Sequence, residues 1–320
     1  MSKRPSVVFQ VNEVLRKAFH EGFGRSRHSD KRNAMNNDKE YDTYTKNKIY
    51  SQKTYKATNK TCVAFVKHCR ENYGIKYLFE INPEMFKSFI EKGDFKHGKP
   101  YDPKTAATYY SQILKMQNAY NTINNFNSVF ADKSYKNFVG KSEKKKIQMP
   151  REIHNQIIKK AYENKYTNGL AFDTARALGL RVTEITNLRK EDFKFCNDKF
   201  LEIHIHKSKG GRSRDINIES LTSIQVNTVL TTYNYFKNSL SEHDRLFINK
   251  SDSYEKTFSR IRDSITEDYT YCGIHSMRKE FANDYYDRRI QEGIKDEQAE
   301  KELTEILGHT RTEVLDSYLK

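Results

Sequence analysis

Four short stretches of the sequence carry side chains suited to handling a phosphate. In "LGLRVTEITNLRKEDF", Leu178 to Phe193, Arg181 and Glu184 stand three apart, while Leu180, Ile185 and Leu188 give a helix its apolar side. That pair reads either as a surface salt bridge or as an arginine held ready for an anion. In "KFLEIHIHKSKGGRSRDINI", the cations Lys207, Lys209, Arg212 and Arg214 crowd a two-glycine turn, solvated at a hairpin tip or pressed against a phosphate. In "YCGIHSMRKEFAND", His275 and Arg278 stand at the start of a helix whose buried side is Ile274, Met277 and Phe281. Free N–H groups and the helix dipole favour an anion there. Finally, "LGHTRTEVLDSYLK" places Tyr318 nine residues after His309. Thr310 and Glu313 have capping-box spacing, which predicts a helix from just after His309 to the last residues. Taken alone, Tyr318 reads as a packing aromatic among 21 tyrosines.

The four stretches fit one reaction. A phosphodiester attacked by a tyrosine hydroxyl passes through a five-coordinate phosphorane with added negative charge, so it needs several fixed cations and donors. Two arginines offer bidentate forks to the non-bridging oxygens. A histidine can donate to the same oxygens, and a lysine can protonate the departing 5′ oxygen. A free tyrosine hydroxyl titrates near ~10, so about one in a thousand is ionised at neutral pH. A base must therefore take its proton, and histidine is suited to that.

In this order, arginine, hairpin lysine, His-x-x-Arg, Gly-His and tyrosine, the boxes resemble the tyrosine recombinase, or phage integrase, family over about residues 150 to 320. "GLRVTEITNL" is similar to that family's first arginine box, "HSMR" to its His-x-x-Arg box and "LGHTRTEVLDSY" to its Leu-Gly-His box with the tyrosine. The resemblance implies that Arg181 and Arg278 bind the scissile phosphate and that His309 donates to it. It implies His275 as general base, Lys209 as general acid with Lys207 as the alternative, and Tyr318 as the nucleophile of a 3′-phosphotyrosyl link. The covalent link conserves the energy of the broken bond, so neither ATP nor a metal is implied. The implied partners are double-stranded DNA recombination sites, a homotetramer on DNA and an accessory DNA-bending or directionality protein. A site-specific recombinase of integrase or transposase type leads. A type IB topoisomerase-like enzyme, a hairpin-forming resolvase and a catalytically idle DNA-binding regulator remain alternatives. Family members commonly continue past the tyrosine; here only Leu319 and Lys320 follow, which puts the usual tail exchange between subunits in doubt.

The rest of the chain must position these groups. Its 320 residues allow two domains, each with its own core. With 36% apolar and 31% charged residues, no run of ~18 uncharged apolar residues and an early polar N-terminus, it reads as soluble and cytoplasmic, without a membrane partner. Four cysteines without C-x-x-C spacing read as buried thiols. Residues 1–150 carry 29 Lys+Arg against 14 Asp+Glu, while residues 151–320 carry 28 of each. A basic excess confined to one half is the footprint of a polyanion binder, although AT-rich coding produces similar lysine usage. RNA is the weaker reading, because no stacked-aromatic sheet motif is present.

Val8, Val11, Leu15 and Phe19 predict a short amphipathic first helix, and the aperiodic stretch after it, "GFGRSRHSDKRNAMNNDKEYDTYTKNK", an exposed basic arm. Cys62, Phe65, Val66, Cys69 and Tyr73 form one helical stripe, and Ala106, Tyr109, Ile113, Met116, Tyr120 and Ile123 another. Between them, "INPEMFKSFIEKG" starts a helix at its proline and stops it at its glycine. Alternating Leu201, Ile203 and Ile205, then Ile216 and Ile218, predict a β-hairpin. The expected fold is mainly α with a small β-sheet. An N-terminal helix and basic arm (1–48) precede a helical core-binding domain that clamps DNA (49–140), a linker (141–150) and an α+β catalytic domain of tyrosine-recombinase type (151–320).

Overall fold

The computed structural model describes residues 5–36, 45–93, 101–139, 147–197, 199–206 and 213–319. The chain divides into two compact units, residues 1–144 and 145–320.

The first unit is helical, and no strand occurs among its described residues. Its longer helices are α1 (Val7–Gly22), α2 (Arg27–Asn36), α3 (Gln52–Tyr73), α4 (Pro83–Lys92) and α5 (Pro103–Asn124), and a single turn, Lys136–Val139, follows them. Ser6, Ser51, Asn82 and Asp102 cap α1, α3, α4 and α5, each accepting a backbone N–H of the first turn. The stripe of α1 shares one core with Phe65 and Val66 of α3, Phe86 of α4 and Ile113 of α5. Cys62 and Cys69 lie in that core, and burial pushes both thiols up. In the stretch expected to be an aperiodic arm, residues 27–36 form α2 instead. Its anchor is polar: the buried Asp30 carboxylate accepts from Lys48 Nζ at 3.3 Å and Tyr50 OH at 2.9 Å. A helix held by such a tie leaves no apolar period in the sequence. Residues 37–44 of that stretch lie outside the described residues. On α3, Lys53, Lys56, Lys60 and Lys67 occupy one exposed face, with the small Ala57 and Ala64 between them.

The second unit carries α6 (Arg151–Asn164), α7 (Tyr166–Ala177), α8 (Val182–Ile185), α9 (Ser223–Phe236), α10 (Ser251–Asp263), α11 (His275–Gln291) and α12 (Asp296–Ile306). Its antiparallel sheet has the order β1 (Phe193–Cys196), β2 (Lys199–Ile205), β3 (Arg214–Asn217). The pairing runs Lys194↔Glu202 and then Phe195↔Phe200, which leaves Leu201 as the extra residue of a bulge, exposed. The expected alternation therefore holds at Ile203 and Ile205, while Phe200 takes the inward place. Ile218 has left the strand for a turn of 3₁₀ helix. Cys272 is buried, but Cys196, on the edge strand, is exposed, against the expectation of buried thiols throughout.

Three local features aim the candidate groups. Gly179, at φ +60°, ends α7 and turns the chain toward Arg181. His154 of α6, fully buried, reaches Ser276 Oγ at 2.8 Å through Nε2 and pairs with Glu280 through Nδ1, which pins the first turns of α11. Gly308, at φ +66°, closes α12: its N–H donates to Glu305 O and the N–H of His309 to Thr304 O, each 2.9 Å. That pair of hydrogen bonds is a Schellman motif. It displaces the expected capping box, and the helix predicted from Thr310 is a 3₁₀ helix, Thr312–Ser317, with no side-chain cap at Arg311.

A Cβ on Gly179 would lie 2.5 Å from Phe281 Cδ1 and would occupy the left-handed region. Gly179→Ala is expected to cost about 2–4 kcal/mol from strain and overpacking, read as a lower midpoint in urea.

Candidate active site

The site is organised by a carboxylate. Glu184, on α8, has a side chain with no exposed surface. Its Oε1 accepts from Arg181 Nη1 at 2.7 Å and Arg214 Nη1 at 3.0 Å. Its Oε2 accepts from the Arg181 backbone N–H at 2.9 Å, from Arg214 Nη2 at 3.1 Å and from Arg278 Nη1 at 3.5 Å. Burial by itself would raise this carboxyl. The bonds and charge of Arg214, the charge of Arg278 and the Arg181 N–H outweigh that and hold it at about 2.

Arg278 is fully buried. Its Nη1 donates to Gly179 O and its Nη2 to Leu307 O, both at 2.5 Å, so the two turns described above grip one guanidinium. Its Nε donates to the Tyr318 hydroxyl at 3.4 Å. Burial lowers this guanidinium to about 10, which leaves it cationic at neutral pH. Nη2 of Arg181 and Nη2 of Arg278 each lie 3.4 Å from His309 Nε2. A guanidinium only donates, so Nε2 accepts here and the imidazole proton sits on Nδ1.

The Tyr318 ring stands between two imidazoles, its centroid 5.4 Å from that of His275 and 5.5 Å from that of His309, both edge-to-face. The Arg278 guanidinium carbon lies 5.7 Å from the same centroid. Loss of water and the charges of Arg278 and Arg181 push both imidazoles down to about 4. His275 as a residue is exposed, so solvent screens those charges there. Both histidines are neutral at pH 7, the form that can accept a proton.

Five of the residues singled out in the sequence thus converge: Arg181, His275, Arg278, His309 and Tyr318. Lys207, Lys209 and Arg212 lie outside the described residues. Tyr318 packs in the core at 5% exposure, as the reading of it as a packing aromatic expects, and its hydroxyl accepts from Arg278. The sequence reading missed Arg214 as part of the site. Its Nε also donates to Ile306 O at 2.5 Å, which ties the hairpin base to the Leu-Gly-His turn. The signal was available, since Arg214 and the buried Ile216 are two apart on one strand and face the same side. Among the described residues, no group of three or more His, Cys, Asp or Glu side chains is placed to hold a metal ion.

The Phage integrase family pattern matches residues 148–320. Among curated proteins no match is found. Among solved structures, the chain is similar to a lambda integrase tetramer bound to a Holliday junction, with 16% identity and a TM-score of 0.61, over 85% of this chain and 73% of that one. It is similar to the XerH site-specific recombinase in a post-cleavage complex with palindromic difH substrate, with 16% identity and a TM-score of 0.63, over 99% and 94%. It is also similar to the Tn1549 transposon integrase in complex with transposon right-end DNA, with 15% identity and a TM-score of 0.50, over 81% and 94%. At these identities the likeness is one of fold.

Glu184→Gln keeps the shape and removes the counter-charge, so the second unit should lose about 3 kcal/mol, measured by urea unfolding at pH 7. The two histidines titrate below their ordinary 6.5 in the folded chain, so between that value and about 4 the unfolded chain binds more protons. Stability should therefore be full above pH 6.5 and fall as pH drops toward 4. Melting curves from pH 4 to 8 should show this slope in the wild type and a flatter one in His275→Gln/His309→Gln.

Proposed function

The chain belongs to the phage integrase family, and on that premise we propose that it is a site-specific DNA recombinase of integrase or transposase type acting through Tyr318. The observation that carries this reading is the Tyr318 hydroxyl set 3.4 Å from a fully buried arginine, on a ring that stands between two neutral imidazoles. In the proposed step, Arg181 and Arg278 receive the non-bridging oxygens of the scissile phosphate, replacing their present contact with His309. His275 takes the phenolic proton as the Tyr318 oxygen bonds to phosphorus. His309 takes a proton from solvent on Nε2 as the phosphate's negative charge enters, and donates from there to a non-bridging oxygen. The bond from phosphorus to the 5′ oxygen breaks, and Lys209, or Lys207 beside it, protonates the departing oxygen. A 5′ hydroxyl from another strand reverses the step and releases Tyr318, so no bond energy is lost and no ATP or metal is consumed.

The lysine face of α3, in the residues 49–140 read as a core-binding domain, supplies backbone phosphate contacts that set register without reading bases. Double-stranded recombination sites, a homotetramer on DNA and a directionality protein remain the proposed partners, in line with the tetramer form of lambda integrase on a Holliday junction. No helix among the described residues is long and apolar enough to cross a membrane. We place the protein in the bacterial cytoplasm, on the nucleoid when bound.

A nicked duplex made from DNA flanking the gene should trap a covalent adduct with the wild type. Tyr318→Phe keeps the ring in its packing and should give none. Persistent adduct in Tyr318→Phe, or no wild-type adduct on any flanking duplex, would sink the nucleophile assignment. Relaxed circles without recombinants would point to a topoisomerase instead.

A further inference from the structure

The backbone of Tyr318 is held as closely as its ring. Its N–H donates to Leu315 O at 2.7 Å. Its carbonyl oxygen accepts from the side-chain amides of two distant residues, Asn283 Nδ2 at 2.9 Å and Gln148 Nε2 at 3.1 Å. Two donors fill both lone pairs of that oxygen. Asn283 is 7% exposed, and its other amide proton goes to Lys279 O at 2.7 Å. Its orientation is thereby fixed, because a flipped amide would set its oxygen against two carbonyl oxygens.

The sources of the two amides matter. Asn283 stands on α11, five residues beyond Arg278, about 7.5 Å along the axis. One rigid helix therefore carries His275 and Arg278 at the phosphate end and the backbone tie of the tyrosine further along. Gln148 is the fourth residue of the second unit and precedes α6, so it approaches the same oxygen from a separate element. Neither side chain touches the tyrosine hydroxyl, and packing by itself would require no donor at either place.

We propose that Asn283 and Gln148 are positioning residues for the nucleophile: together they fix the Tyr318 carbonyl, and through it the reach of the hydroxyl toward the phosphate held by Arg278. This rests on Tyr318 being the nucleophile. A nucleophile displaced by ~1 Å loses on the order of 10²-fold in rate, so loss of one donor of the pair should be felt in the chemical step and not in DNA binding.

The test uses the full chain and a nicked duplex from the DNA flanking the gene. It reads the single-turnover rate of adduct formation at saturating protein, and DNA affinity separately. Gln148→Leu and Asn283→Leu remove the donors at similar size and should slow adduct formation about 10- to 100-fold at unchanged affinity. Gln148→Lys restores a donor and should recover to within about threefold of wild type. Should Asn283→Leu not fold, the half-buried Gln148 series decides alone. A wild-type rate in Gln148→Leu, a slowing matched by lost affinity, or no recovery in Gln148→Lys would overturn the proposal. An adduct that survives Tyr318→Phe would instead overturn the nucleophile reading, whatever the Gln148 variants do.

Discussion

Three guanidiniums cannot share a few ångströms of protein interior without a counter-charge, and here one carboxylate supplies it. Glu184 bonds to Arg181, Arg214 and Arg278 from a position with no solvent of its own. Against three cations it leaves about two positive charges unbalanced at close range, in a region where water screens little. That residue of charge is visible in the neighbours, because His275 and His309 are both pushed well below their ordinary range. Under the proposed function, the scissile phosphate is the complement of that charge. The arrangement therefore favours an anion, which makes affinity and preorganisation two aspects of one charge distribution.

The same carboxylate explains why separated pieces of chain must fold together. Its five bonds join the start of α8, strand β3 and helix α11, and Arg214 and Arg278 extend the network to the carbonyls of Ile306, Leu307 and Gly179. Gly179 and Gly308 matter because each lets the chain turn where a carbonyl or imidazole must face the arginines. Losing one partner would expose the others to repulsion, a cost several times that of an ordinary surface ion pair.

Much of this was legible in the amino-acid order. The helical stripes of the first unit, the proline and glycine bounding α4, and the four cationic boxes all depend on local spacing, which the sequence displays directly. What escaped it was set by contacts far apart in the chain. The helix at residues 27–36 hangs on Asp30, Lys48 and Tyr50 rather than on an apolar face. Leu201 is extruded because β1, unforeseen as a third strand, pairs with β2 through a shifted register. The Thr310 to Glu313 capping pattern was genuine as spacing but lost to the Schellman closure of α12, which consumes the N–H groups of Gly308 and His309 and lets the chain leave extended. The lysine choice, Lys209 against Lys207, lies outside the described residues and stays a matter of spacing.

An arginine with no exposed surface has a consequence for timing. Arg278 is locked by two carbonyls, a carboxylate and the packing of α11, so it cannot swing in when DNA arrives or swing out when the work is done. The cationic half of the machinery is permanently armed. Under the proposed function, control over cutting must then act on how the DNA strand reaches the site, because the Tyr318 hydroxyl already rests 3.4 Å from that arginine.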